Sequence, residues 1–258
     1  MIPLKDYPGP RRSLPWVTWA IIAINVAVFL YQVSLGPAVE DFIFAYSIVP
    51  AALVRGIPQT DLLQHKILFE TPHPVYLTLI TSMFMHGGWL HLGGNMLYLY
   101  VFGDNVEDRL GHMTYLVFYL FCGLVASLTQ IFINPTSPIP NLGASGAIAG
   151  VLAGYLVLFP WAGVRTVIIL VVFFTITTVP AFILIGLWFV LQFFSGLASL
   201  YATHQGMGGV AYFAHVGGFL AGLVITWLLK PRQPPPMDIT YPYFPRRSDM
   251  SPPSWWER

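Results

Sequence analysis

The chain has 258 residues, of which 56% are hydrophobic and only 9% charged, and its net charge is +1. Soluble domains carry roughly 25% charged residues, so this composition belongs to a protein that crosses a membrane several times. Near-neutral charge excludes the basic face that nucleic-acid binding needs, and the single cysteine, Cys122, can form neither an internal disulfide nor a thiolate metal cluster.

Residues 1–14 form a short, proline-rich segment read as cytoplasmic. The apolar run from Trp16 to Val33 has no small-residue cleavage pattern after it, so it is a retained span rather than a signal peptide. A helix needs about 20 apolar residues to cross the hydrocarbon, which places spans at 15–34, 77–103, 113–133, 143–161, 181–200 and 209–229. Residues 35–76 contain amphipathic pieces (DFIFAYSIVPAALV, DLLQHKILF) and read as a first loop associated with the membrane surface. Residues 231–258 are rich in proline and lack a core-forming run, the composition of a disordered cytoplasmic tail. The expected fold is all-α and polytopic, a six-transmembrane-helix bundle over residues 15–230.

Residues 164–180 (VRTVIILVVFFTITTVP) are apolar enough to be a seventh span. Basic residues collect on the cytoplasmic side of membrane proteins. With six spans, Lys5, Arg11, Arg12, Arg109, Arg165, Lys230, Arg232, Arg246, Arg247 and Arg258 share that side, and only Arg55 and Lys66 lie opposite, in the first loop. A seventh crossing would carry the basic tail outside. Six spans give the better topology, with both termini cytoplasmic in a bacterial plasma membrane. Residues 164–180 then become an embedded or tilted lead-in, broken at Pro180.

The span interiors lack charge, so their remaining polar residues carry the information. With the N-terminus inside, the second, fourth and sixth spans all run from outside to inside. At 1.5 Å per residue, Ser145 at the start of span 4, His215 in span 6, and His91 and Asn95 in span 2 share one layer roughly 5–15 Å below the outer surface, with His86 above them. His91 and Asn95 are four residues apart and project from one helix face. Gly146, Gly150 and Gly154 in span 4 repeat at the same step, as do Ala214, Gly218 and Gly222 in span 6. Small residues at this spacing let helix backbones approach closely in lipid. Two such ladders would draw spans 4 and 6 together beside Ser145 and His215, close enough for a hydrogen bond of about 2.6–3.2 Å.

A histidine near neutrality can take the proton of a serine hydroxyl and make it a nucleophile. Since Asp104, Glu107 and Asp108 sit at the inner end of span 2, the pair would be a dyad without a carboxylate. The developing oxyanion would find donors in the Ser145 backbone N–H at a helix start, the Asn95 amide and His91. Other readings exist for each residue. A serine alone in a glycine-rich helix is usually a packing residue. His86, His91 and His215 could bind a metal, but HExxH is absent and no carboxylate shares their layer. His65, His73, His112 and His204 fall near loops or membrane surfaces. The stretch Gly143-Ala-Ser145-Gly146-Ala147 lacks the last glycine of the soluble hydrolase elbow.

The stretches His86-GGWL-His91-LGG-Asn95, Gly103-DNVEDRLG, Gly143-Ala-Ser145-Gly146 and Ala214-His215-VGG-FLAG occur in this order over residues 76–229. Together they resemble the rhomboid family of intramembrane serine proteases. The resemblance implies a six-helix fold that cleaves transmembrane helices of other proteins near their outer end. It implies Ser145 as nucleophile, His215 as general base, and Asn95 and His91 in the oxyanion hole. His86, Gly143, Gly146, Gly218 and Gly222 would be supporting residues, and Glu107 a structural glutamate. No cofactor or metal is expected; the expected partners are transmembrane substrates and the lipid bilayer. Pro180, Trp188 and Gln192 mark span 5 as the expected substrate gate. The first loop departs from members with a Trp-Arg pair, since it contains Arg55 but no tryptophan. A noncatalytic rhomboid-like binder and a small transporter are the rival classes.

Overall fold

The computed structural model describes residues 1–7, 12–62, 68–170, 173–202 and 210–229. The main helices among them are α1 (Trp16–Ser34), α5 (Trp89–Leu110), α6 (His112–Ile133), α7 (Ser145–Leu158), α8 (Ala181–Ala202) and α9 (Tyr212–Leu229). The first loop holds the short helices α2 (Val39–Tyr46) and α3 (Pro50–Arg55), and α4 (Thr78–Thr81) precedes α5. The fold is mostly helical. Four of its helices, α1, α6, α8 and α9, are long and apolar enough to cross a membrane. The expected tail, 231–258, lies outside the described residues, as does the stretch 203–209, which holds His204 and the first residue of the sixth expected span.

α7 is the centre of the molecule. It has 14 residues, and every one from Gly146 to Tyr155 is buried. Packed by protein on all sides, it has little contact with lipid and need not match the hydrocarbon thickness by itself. It meets α9 through backbone. A Cβ at Gly218 would collide with the Gly146 carbonyl oxygen, and one at Gly222 with the Gly150 carbonyl. One turn further on, Gly154 faces Thr226. The two four-residue ladders therefore run in register, residue against residue.

The end of the bundle away from Ser145 is closed by acidic side chains of α5. Glu107 accepts from Val17 N (3.0 Å), Thr18 N (2.8 Å) and Thr18 Oγ1 (2.6 Å), and lies 2.6 Å from His112 Nδ1. The first turn of α1 follows Pro15 and has no side-chain cap of its own. A carboxylate from α5 supplies the acceptors and the negative charge that a helix start favours. In the first loop, the buried Gln59 amide binds the carbonyls of Ala45 and Ser47 (2.7 Å each) and accepts from Val49 N (3.0 Å).

Two expectations need correction. The second span does not run unbroken from 77. α4 and a 3-10 turn end at Phe84, Met85 is extended, and α5 starts only at Trp89, after Gly87-Gly88. Nor is the fold all-α. Residues 164–180 are not a helical lead-in: β2 (Gly163–Leu170) and β3 (Phe173–Pro180) form an antiparallel hairpin, and β1 (Ile2–Tyr7) adds a third strand against β2. Valine, isoleucine and threonine dominate this stretch, and their stiff χ1 angles suit a pleated surface better than a helix. A continuous apolar run alone does not separate the two. Val164 and Thr166 are fully buried at the base of the sheet.

Methyl groups added at Gly218 or Gly222 should each destabilise the protein by about 1–3 kcal/mol, because a facing backbone cannot give way as a side chain can. Unfolding in detergent would show a lower midpoint for Gly218→Ala and Gly222→Ala. Gly93→Ala, where a Cβ meets nothing within 4 Å, should unfold like the parent.

Candidate active site

Ser145 is the first residue of α7, so its backbone N–H belongs to the set with no partner inside the helix. The preceding loop is pinned by Gly143 N donating to Ser82 O (2.9 Å) and by a two-way backbone pair between Ile48 and Asn141 (2.9 and 2.7 Å). Gly143 itself has φ +129°, and a Cβ there would press 2.9 Å from the His91 ring. Both the turn into α7 and the approach of His91 need glycine at this position.

His215 reaches the serine from α9. Its Nε2 lies 2.7 Å from Ser145 Oγ, and its Nδ1 lies 2.7 Å from Gln192 Oε1 of α8. With the amide oxygen accepting from Nδ1–H, Nε2 is left as the acceptor for the serine hydroxyl, an assignment that follows from the hydrogen-bond pattern. Trp188 covers the imidazole, ring centroids 5.8 Å apart. The closeness of hydroxyl and imidazole is a consequence of the glycine contacts, since Gly146 and Gly218 stand one and three residues beyond Ser145 and His215 in the chain.

α5 and the segment before it provide the facing wall. Asn95 Nδ2 is 2.9 Å from His86 Nε2, His86 and His91 meet edge to face with centroids 5.1 Å apart, and Gly87 N points at His91 Nδ1 at 3.4 Å. His86 is almost wholly buried. Its backbone is clamped by the Gln32 amide of α1, which donates to His86 O and accepts from His86 N, both at 3.1 Å. A cavity of about 720 Å³ opens between these walls, lined by Ser145, His215, His91 and Asn95 and floored by Tyr98, Leu152 and Trp188. Among the described residues, no three His, Cys, Asp or Glu side chains stand where they could hold a metal ion.

Ser145, His215, His91 and Asn95 thus face one cavity, with His86 bonded behind Asn95. Gly143 and Gly146 shape the start of α7, and Gly218 and Gly222 hold α9 against it. Two partners escaped the sequence reading. Gln192 was expected at a gate, yet it bonds His215; its signal was being the one amide in an otherwise apolar helix. Gln32 was not singled out, although it is one of only two amides, with Asn25, in an apolar span.

A family model described as "Rhomboid domain" matches residues 73–232. The chain is similar to "Rhomboid-like protein 11, chloroplastic" of Arabidopsis thaliana, 28% identical over 88% of this chain and 69% of the relative. It is similar to "Rhomboid protein 1, mitochondrial" of Saccharomyces cerevisiae, 31% identical over 83% of this chain but only 53% of the relative. A third relative, "Inactive rhomboid protein 1" of Drosophila melanogaster, is 32% identical over 37% of this chain and 6% of its own length.

Gln32→Ala would leave a buried N–H and C=O of His86 without partners, at a cost of about 1–3 kcal/mol. Unfolding measurements in detergent should show that loss.

Proposed function

The chain belongs to the rhomboid family and is an integral membrane protein, and from that premise we propose that it is an intramembrane serine endopeptidase. Ser145 is the nucleophile and His215 the general base. The observation that carries this reading is the 2.7 Å contact between Ser145 Oγ and His215 Nε2.

In the first step Ser145 Oγ attacks the scissile carbonyl carbon while its proton passes to His215 Nε2. The Gln192 oxygen, bonded to Nδ1–H, fixes the tautomer and the ring plane. A neutral amide stabilises the imidazolium less than a carboxylate would, so orientation is its main contribution. Negative charge collecting on the carbonyl oxygen meets the Ser145 backbone N–H, the second hydrogen of the Asn95 amide and His91. The imidazolium then protonates the leaving amine. Water, deprotonated by the same imidazole, hydrolyses the acyl-enzyme and frees Ser145. The polar segment His86–His91 at the outer end of α5 is where water enters.

The substrate is a transmembrane helix. α8 packs chiefly on α9, with no comparable contact to α5, and the cavity opens between α5 and α8. A substrate entering there must unwind, which favours small or helix-breaking residues near the scissile bond. In this reading α5 and α7 complete six spans, the first loop rests on the membrane surface, and the chain enters α1 and leaves α9 on the cytoplasmic side. Within the expected cytoplasmic segment 1–14, β1 instead lies along α5, with Met1 beside Tyr98. The bacterial plasma membrane expected from the sequence belongs to the same reading; the plant and yeast relatives carry chloroplast and mitochondrial names.

A noncatalytic, client-binding role is the second reading, favoured by the relative named inactive. The intact Ser145–His215 contact speaks for the enzyme.

Ser145→Ala and His215→Ala should each lower kcat on a reporter transmembrane substrate by roughly 10³ or more while the unfolding midpoint stays put. Undiminished cleavage by either variant refutes the assignment. Gln192→Ala should lower kcat about tenfold with KM nearly unchanged, the mark of a positioning residue.

A further inference from the structure

The chemistry above puts a positive charge on His215 twice, once while the acyl-enzyme forms and once while it is hydrolysed. The residue that takes this charge is only 8% exposed, and a buried charge is costly unless something compensates it. His112 has a carboxylate 2.6 Å away, but that pair, with Glu107, stands at the other end of α5. The partners of His215 are neutral: the Gln192 amide oxygen at Nδ1 and the serine itself at Nε2. A dyad built this way still needs something to face the imidazolium.

Aromatic rings of α8 and α9 surround it. Trp188 and Gln192 are four residues apart and share one face of α8, as His215 and Phe219 share one face of α9. The two pairs interlock. Gln192 bonds the edge of the imidazole, and the Trp188 indole, one turn along, leans on both His215 and Phe219. Its centroid lies 5.8 Å from the first ring and 6.4 Å from the second, at 36° to each. Phe189 stacks on Phe219 at 4.3 Å and steadies the group. An aromatic face carries partial negative charge and attracts a cation within about 6 Å of the ring centroid, tryptophan most strongly. Trp188 is inside that range, whereas Tyr212, at right angles and 6.5 Å from the imidazole, is beyond it.

We propose that the π face of Trp188 stabilises the imidazolium of His215, taking the electrostatic part that a carboxylate plays in a triad. This deepens the protease reading above and rests on it. The attraction is weak for a neutral imidazole and grows as the proton arrives. It therefore favours the transition state over the ground state and belongs in kcat. Two residues one turn apart divide the support of the base, Gln192 fixing the tautomer and Trp188 stabilising the charge. Trp188 is a positioning residue in the sense that it acts through His215 and needs no contact with substrate.

The test replaces Trp188 alone by tryptophans carrying an increasing number of ring fluorines. Fluorine draws charge from the π face while hardly changing the shape of the ring, so the packing is kept. On a transmembrane reporter, kcat should fall stepwise with each fluorine at constant KM, and the unfolding midpoint should not move. Trp188→Leu should lower kcat roughly 10–30-fold, the size of a desolvated cation–π contact, and Trp188→Phe should fall between. Equal kcat across the fluorinated series overturns the proposal even if Trp188→Leu is slow, because that pattern reports packing. A loss carried by KM overturns it too, since the ring would then be meeting substrate. A second readout needs no turnover: the rate at which a serine-reactive phosphonate labels Ser145 should decline along the same series, because the same proton passes to His215. If the unaltered protein is labelled but cleaves no reporter, the protease reading fails, and the labelling series still decides the part played by Trp188. An unaltered protein that neither cleaves nor is labelled overturns both.

Discussion

The site depends on two helix backbones touching. Where Gly218 and Gly222 of α9 lie against the carbonyls of Gly146 and Gly150 in α7, no side chain separates the axes. Lipid gives no hydrophobic drive to bring helices together, so packing of this closeness is what association relies on. The hydroxyl of Ser145 and the imidazole of His215 are carried at the ends of this contact, and their 2.7 Å separation follows from it. The same contact explains why α7 can be so short and so poor in large side chains. It is an internal post surrounded by protein.

A second constraint is the scarcity of water. Buried polar groups must find partners within the protein, and this chain meets that need largely with side-chain amides and carboxylates that bond backbone or a histidine ring. Glu107 caps α1 from α5, Gln32 clamps the backbone of His86, Gln59 ties the first loop, and Gln192 bonds the far nitrogen of His215. Glu107, Gln32 and Gln192 join separate long helices or the segments before them, while Gln59 acts within the first loop. Together they fix the wall around His86, the end of the bundle away from Ser145, the first loop and the imidazole while leaving the cavity between α5 and α8 open.

The helical core was legible because membrane thickness sets helix length and glycine spacing marks close approach. Both signals are local and strong, and α1, α6, α8 and α9 begin and end within a few residues of the spans expected from them. The polar residues facing the cavity were legible as a layer, since residue depth follows from helical rise once orientation is set. The sheet was not. Residues 166–180 show no charge and no alternation, and their partner, β1, lies more than 150 residues away in a segment read only as proline-rich and cytoplasmic. Gln192 was visible as the one amide of its helix and Gln32 as one of two, but nothing in the sequence says which distant group each one meets. The break before α5 was written in Gly87-Gly88, yet hydropathy alone ran straight across it.

The most direct measurement of the central claim is covalent labelling of the membrane-embedded protein with a serine-reactive phosphonate, followed by mass spectrometry of the modified peptide. The expected result is a single adduct on Ser145 that disappears in His215→Ala, because only a serine activated by that imidazole reacts. An adduct on Ser82 or Ser127 instead, or labelling of Ser145 that persists without His215, would contradict it.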